Sequence, residues 1–182
     1  GEKRDGVCYV GAISFIRGII PLLDALDDVP REVKVYIAGS FASHDVELAA
    51  TGHKNWSRVS FFGQVGRQTI REIYGNSFAG IVNFLPAPNH EYSQPNKLFE
   101  YMAAGIPVIA SNFKLWQEMI LPTNCGFVVN PNSPIEIAEA IKSLFSNSRL
   151  VFDMGENGKK AIESRFSWNH EIQGLLMLYG EI

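Results

Sequence analysis

Lys97 and Glu100 stand on one turn of chain behind a proline, in the stretch Gln94-Pro95-Asn96-Lys97-Leu98-Phe99-Glu100-Tyr101-Met102-Ala103-Ala104-Gly105. Pro95 suits the first position of a helix, where an N–H would have no partner. Gly105 suits the position just past the helix end, and Pro107 forbids continuation. The unpaired N–H groups and dipole of such a helix start make an anion site. Lys97 adds a full positive charge there, where the dipole disfavours it, and a bound phosphate would offset both. A plain surface pair between Lys97 and Glu100, worth a few tenths of a kcal/mol, fits the spacing equally well. Leu98, Phe99, Tyr101, Met102, Ala103 and Ala104 leave little of this helix polar. The sequence therefore predicts a buried Glu100 carboxylate, costly unless paired, and a candidate ligand contact.

Two other segments carry groups of the same kind. The turn Gly11-Ala12-Ile13-Ser14-Phe15-Ile16-Arg17-Gly18 offers a glycine that lets backbone approach a ligand, then an arginine with forked donors for phosphate oxygens. A solvated arginine at a turn is the plainer alternative for Arg17. The loop over residues 86–94 holds His90, Glu91, Tyr92, Ser93 and Gln94, which suit hydrogen bonds to sugar hydroxyls. A solvated loop capping the next helix through Ser93 or Gln94 would also explain several of them.

The elements that must position these groups alternate. Apolar or branched runs at residues 7–13, 33–38, 59–63, 79–85, 108–110 and 126–129 read as six strands. Helical periodicity covers residues 17–26, 46–50, 67–76, 95–104, 116–120, 134–145, 149–165 and 168–179. In the helix over 134–145, Ser133 is the expected cap, with Ile135, Ala138, Ile141, Leu144 and Phe145 as its inner stripe. Strand–helix alternation implies an α/β fold: a doubly wound, mostly parallel six-stranded sheet, Rossmann-like, with C-terminal helices and right-handed crossovers. Residues 1–182 read as one domain. Ligands of such sheets lie beyond the strands' carboxyl ends, where the strand order reverses. This points to residues 11–17, Gly39-Ser40, residues 86–97 and Ser111-Asn112.

Composition narrows the classes. The chain has 182 residues, 46% hydrophobic, enough for a substantial core. A net charge of -3 argues against a nucleic-acid surface, which needs many cations. Cys8 and Cys125 sit alone in apolar runs and read as buried thiols, and the four histidines show no metal-ligand spacing. No stretch reaches the ~20 apolar residues of a membrane helix. With no initiator methionine, further sequence is expected before Gly1. There is no Gly-x-Gly-x-x-Gly fingerprint, no Gly-Lys-Ser/Thr phosphate loop and no Gly-x-Ser-x-Gly elbow.

Taken together, these segments resemble the nucleotide-sugar-binding, C-terminal half of glycosyltransferases with two Rossmann-like domains, the GT-B fold. More narrowly they are similar to the group 1 family of retaining transferases. Tyr9-Val10-Gly11 followed by Arg17-Gly18 looks like its strand-one loop, and residues 59–65 like its third-strand segment. The stretch over residues 95–109 resembles its most specific signature, and Phe166-Ser167-Trp168 its usual end.

The resemblance implies roles. Glu100 would bind the donor ribose, Arg17 would face the diphosphate, and the turn with Gly63 and Val65 would lie near the base. Gly11 and Gly39 would line the nucleotide site, and Glu91, Tyr92, Ser93 and Gln94 the sugar. Two departures stand out. The family often has an arginine directly after the strand-one glycine, where this chain has Ala12. Its second glutamate, a sugar contact, falls on Tyr92, with Glu91 one residue away. Lys97 is expected to supply the charge that Ala12 lacks.

The implied function is donor binding in a metal-independent transferase that retains anomeric configuration, with Arg17 and Lys97 neutralising the leaving diphosphate. No cofactor is expected besides the nucleoside diphosphate sugar itself, with uridine or guanosine favoured. A missing N-terminal domain would bring the acceptor and any membrane contact. The intact enzyme would be cytoplasmic, at most peripheral at the inner membrane face, and this piece alone inactive. A nucleotide-sugar epimerase half, or a non-catalytic nucleotide-sugar-binding domain, are the alternatives.

Overall fold

In a computed structural model, which describes residues 4–164, six parallel strands run in the order β3-β2-β1-β4-β5-β6. They are β1 (Gly6–Val10), β2 (Lys34–Ala38), β3 (Val59–Phe61), β4 (Ser77–Val82), β5 (Val108–Ser111) and β6 (Gly126–Val129). The helices between them are α1 (Ile19–Ala25), α2 (His44–Thr51), α3 (Arg67–Asn76), α4 (Pro88–Glu91), α5 (Asn96–Ala103), α6 (Lys114–Ile120), α7 (Pro134–Phe145) and α8 (Ser148–Ser164). The strand order reverses between β1 and β4, so the crevice beyond their carboxyl ends is where a ligand is expected.

Strand residues alternate between two cores, as the pleat requires. Val7, Tyr9, Val35, Ile37, Ile81 and Ile109 pack with Ile19, Leu22 and Leu23 of α1 and Ile137, Ile141 and Leu144 of α7. Cys8, Tyr36, Val82, Val108 and Ala110 pack on the other face with Ile73 of α3, Leu98, Tyr101 and Met102 of α5, and Trp116 of α6. Both faces being covered explains why these strands read as continuous apolar runs. Cys8 and Cys125 are buried free thiols, as expected.

Several boundaries differ from expectation. The first strand stops at Val10, because Gly11 adopts φ 121°, and Ile13 makes only an isolated bridge to Phe41. Residues 86–94 are not all loop: Pro88 starts the single turn α4. Pro95 caps α5 from an extended conformation instead of occupying its first turn. On α7, Ser133 Oγ accepts from Glu136 N at 3.3 Å, as expected, but Ile135 is 62% exposed and Ile137 takes its place in the core. The helix expected over 149–165 is α8. The helix expected over 168–179 and the Phe166-Ser167-Trp168 turn lie outside the described residues.

α8 crosses behind α5 at close range. A β-carbon on Gly158 would come within 3.2 Å of Met102 Cα, and one on Gly155 would collide with the Gly105 carbonyl. Gly105 itself ends α5 at φ 67°, the left-handed conformation that suits glycine after a helix.

Candidate functional site

The turn after β1 is braced from every side. Tyr9, fully buried, donates its hydroxyl to the carbonyls of Ala12 (3.1 Å) and Arg17 (3.2 Å). Asn83, just past β4, donates to the Gly18 carbonyl at 2.8 Å, and Leu85 N to the Ile16 carbonyl at 2.8 Å. From the far side, Tyr101 of α5 accepts from Val10 N at 3.0 Å. Strand end and helix are thereby held in fixed register across the switch point.

A cleft of about 520 Å³ opens there, lined by Val10, Gly11, Arg17, Phe84, Asn89, His90, Ser93, Gln94, Pro95, Asn96, Lys97 and Glu100. Lys97 is its most unusual residue. The side chain is 8% exposed, and Nζ is sealed from solvent with no hydrogen-bond partner. The ammonium stands 4.8 Å from the centroid of the Tyr9 ring and 5.4 Å from that of Phe84. Arg17 lies over Phe84 at 5.2 Å. Among the described residues neither cation forms an ion pair. Burial, and then the nearby Arg17 charge, bring the Lys97 ammonium down to a pKa of about 8, while Glu100 raises it weakly. Two aromatic faces are poor substitutes for an anion in so dry a place. The N-terminus of α5 adds unpaired N–H groups beside them.

Glu100 is not the buried acid that the sequence predicts. It is exposed, as are Asn96 and Ala103 on the same side of α5, while Leu98, Tyr101 and Met102 turn inward. The apolar composition around Glu100 comes from side chains pointing elsewhere. Its carboxylate is nevertheless held, by the Tyr74 hydroxyl of α3 at 3.0 Å, and it lines the same cleft as Arg17. Nor do Lys97 and Glu100 form a surface pair.

A second recess of about 420 Å³ continues past Val10 and Gly11 to Ala38, Gly39, Gln64, Val65 and Ile70. Gly63 supports it from below, its carbonyl accepting from Gly39 N at 2.8 Å. The two recesses together run along the carboxyl ends of β2, β1 and β4.

The sequence profile of the family described as Glycosyl transferases group 1 matches residues 1–161. The chain belongs to that family. The chain is 26% identical, over its whole length, to the uncharacterised glycosyltransferase MJ1178 of Methanocaldococcus jannaschii, covering 49% of that protein. Its fold superposes on sucrose-phosphate synthase from Thermosynechococcus elongatus with a TM-score of 0.82 at 24% identity, covering 97% of this chain and 45% of the other. It also superposes on HepE of Anabaena, solved in complex with UDP, with a TM-score of 0.81 at 18% identity, covering 99% of this chain and 50% of the other. The six-stranded fold is that of the C-terminal domain of GT-B glycosyltransferases. The chain spans about half the length of the curated relatives it matches.

Within the cleft, the expected sugar contacts divide. Ser93 and Gln94 line it, but Glu91 and Tyr92 are exposed outside it, Tyr92 by 83%. The cause is α4, which carries residues 88–91 through one turn and presents Asn89 and His90 instead. Ser111-Asn112 also stays outside the cleft, because buried Ser111 donates to the Phe84 carbonyl at 2.6 Å and ties β5 to the end of β4. Asn89 and Gln64 fall within the segments expected at the site, but Phe84 was not foreseen. For Phe84 the available signal was an aromatic closing the fourth strand beside the polar loop. Among the described residues no cluster of His, Cys, Asp or Glu could hold a metal, and no helix is long and apolar enough to cross a membrane.

Proposed function

We propose that this chain is the donor-binding half of a glycosyltransferase that uses a nucleoside diphosphate sugar. The observation that carries this reading is the buried, unpartnered Lys97 ammonium, which shares one cleft with the unpaired Arg17. Two cations and a helix N-terminus aimed at one space suit a diphosphate. Lys97 stands over Gly11, where the family commonly supplies charge from the residue that is Ala12 here. HepE, whose fold this chain shares, has been solved with UDP and with UDP-glucose, which supports uridine as the base to test first.

In this reading the diphosphate lies between Arg17, Lys97 and the start of α5. The ribose reaches Glu100. The base enters the recess at Gly39, Gly63 and Val65. As the glycosidic bond breaks, negative charge grows on the leaving diphosphate. Arg17 stabilises it from the cleft wall, and Lys97 joins once its buried ammonium turns towards the bound diphosphate, with no divalent ion required. The acceptor comes from a second domain, and the anomeric configuration is retained. The isolated donor half, open on one side, does not turn over, because water is not excluded.

Calorimetric titration with UDP and GDP tests the reading. Micromolar to submillimolar binding of one nucleotide, lost when Lys97 and Arg17 are both replaced by alanine, is the expected result. No binding of either nucleotide overturns it. Product analysis on the full-length protein then distinguishes transfer from epimerisation.

A further inference from the structure

The sugar end of the cleft lacks the carboxylate that the family pattern would place there, since Glu91 and Tyr92 stand outside it. What faces the space instead is His90, and its chemistry is fixed by its neighbours. His90 is 6% exposed and packs its ring against Phe84 at a centroid distance of 4.9 Å. Its Nδ1 lies 3.0 Å from the Leu85 carbonyl. A carbonyl oxygen only accepts, so Nδ1 carries the proton. In the neutral ring the lone pair then belongs to Nε2. That nitrogen has no protein partner among the described residues, and unlike Lys97 Nζ it is not sealed from solvent.

The backbone around the ring is braced. Ser93 donates to the His90 carbonyl through both N (3.2 Å) and Oγ (3.0 Å). The Ser93 carbonyl accepts from Trp116 Nε1 at 2.7 Å, and Trp116 is fully buried. Phe84 is the hub, with His90 on it and the ammonium of Lys97 and guanidinium of Arg17 close by. An imidazole that lines the cleft is therefore held with its Nε2 free to accept, one ring away from both cations.

We infer that His90 Nε2 accepts a hydrogen bond from a hydroxyl of the donor's sugar and contributes to sugar selection in place of the absent glutamate. The inference rests on the donor reading above. It assigns the sugar-side acceptor to an imidazole of fixed tautomer, so the donor must present a hydroxyl, not a bare acceptor, at that point.

The test compares nucleotides with and without a sugar. UDP, GDP, UDP-glucose, UDP-galactose, UDP-N-acetylglucosamine and GDP-mannose are titrated into the protein and into two variants. His90→Asn keeps an amide donor near the Nδ1 position and removes Nε2. His90→Gln puts an amide oxygen near the Nε2 position. At least one sugar nucleotide should bind the wild type more tightly than its bare nucleotide. His90→Asn should erase that advantage, about 3- to 10-fold for one neutral hydrogen bond, read as the ratio of sugar-nucleotide to bare-nucleotide affinity within each protein. His90→Gln should restore part of it. In long-range proton–nitrogen NMR, the Nε2 resonance of His90 should shift with the sugar nucleotide beyond its shift with the bare one. Bare-nucleotide binding with no sugar advantage, an advantage that His90→Asn leaves intact, or an Nε2 resonance that does not respond to the sugar overturns this inference alone. Failure of both bare nucleotides to bind the wild type overturns the donor reading and this inference together.

Discussion

Lys97 Nζ lies 2.8 Å from the point that a β-carbon on Gly11 would occupy. The ammonium thus uses the space left open by a glycine at the end of β1. Gly11 also has φ 121°, a conformation that side chains resist. Gly11→Ala should displace the flexible end of Lys97 and strain the turn. The expected result is UDP affinity reduced by about tenfold and stability lowered by about 1–2 kcal/mol. Calorimetry and chemical denaturation measure both.

Lys97→Met should stabilise the ligand-free protein while weakening donor binding. Folding lowers the Lys97 pKa from 10.5 to about 8, so between those values the unfolded chain binds more protons than the native one. This group therefore opposes folding fully below pH 8 and progressively less as pH rises towards 10.5. The variant should gain about 3 kcal/mol at pH 7, the scale of a pKa lowered from 10.5 to about 8. The gap to wild type should close in alkali. Denaturation curves of both proteins across pH 7 to 10.5 check it, since other titrating groups cancel in the difference.

Donor affinity should depend on pH through the same ammonium. A bound diphosphate raises the Lys97 pKa above its free value of about 8. Below that pH the group is already charged and affinity is flat. Above it, binding takes up as much as one proton, and affinity should fall by up to about tenfold per pH unit. Titrations in buffers of different ionisation enthalpy read the proton uptake directly, and Lys97→Met should abolish it.

Tyr74→Phe should loosen Glu100 without disturbing the fold. The hydroxyl that donates to Glu100 Oε2 is lost, and the ring keeps its edge contact with Tyr101 at 5.4 Å. UDP affinity should fall about 3- to 10-fold, the worth of one hydrogen bond to a charged or neutral partner. The loss should vanish for a dideoxyribose analogue, which has no hydroxyl for Glu100 to bind. An unchanged affinity for UDP would remove Tyr74 from the site.

Much of the fold was legible because buried parallel strands write themselves as short apolar runs. Val108-Ile109-Ala110 and Gly126-Phe127-Val128-Val129 needed no tertiary information. Side-chain direction was harder. Glu100 looked buried because Phe99, Tyr101 and Met102 adjoin it, yet adjacent residues on a helix point about 100° apart. For Lys97 a surface pair with Glu100 fitted the spacing as well as an anion site did, and the open space above Gly11 that admits the side chain belongs to a distant segment. α4 escaped notice for a related reason. One helical turn has no periodicity to detect, and Pro88 read as loop stiffening instead of a helix start. That single turn decides which of His90, Glu91 and Tyr92 meets the cleft.

The glycines of α8 have a consequence at a distance. Because Gly155 and Gly158 bring two main chains nearly into touch, α5 is seated by rigid backbone instead of by pliable side chains. Bulk introduced at either position, against Gly105 and Met102, would shove that helix as a unit and drag Lys97 and Glu100 out of alignment together. Mutational damage to nucleotide capture should consequently map to a surface that no nucleotide ever meets.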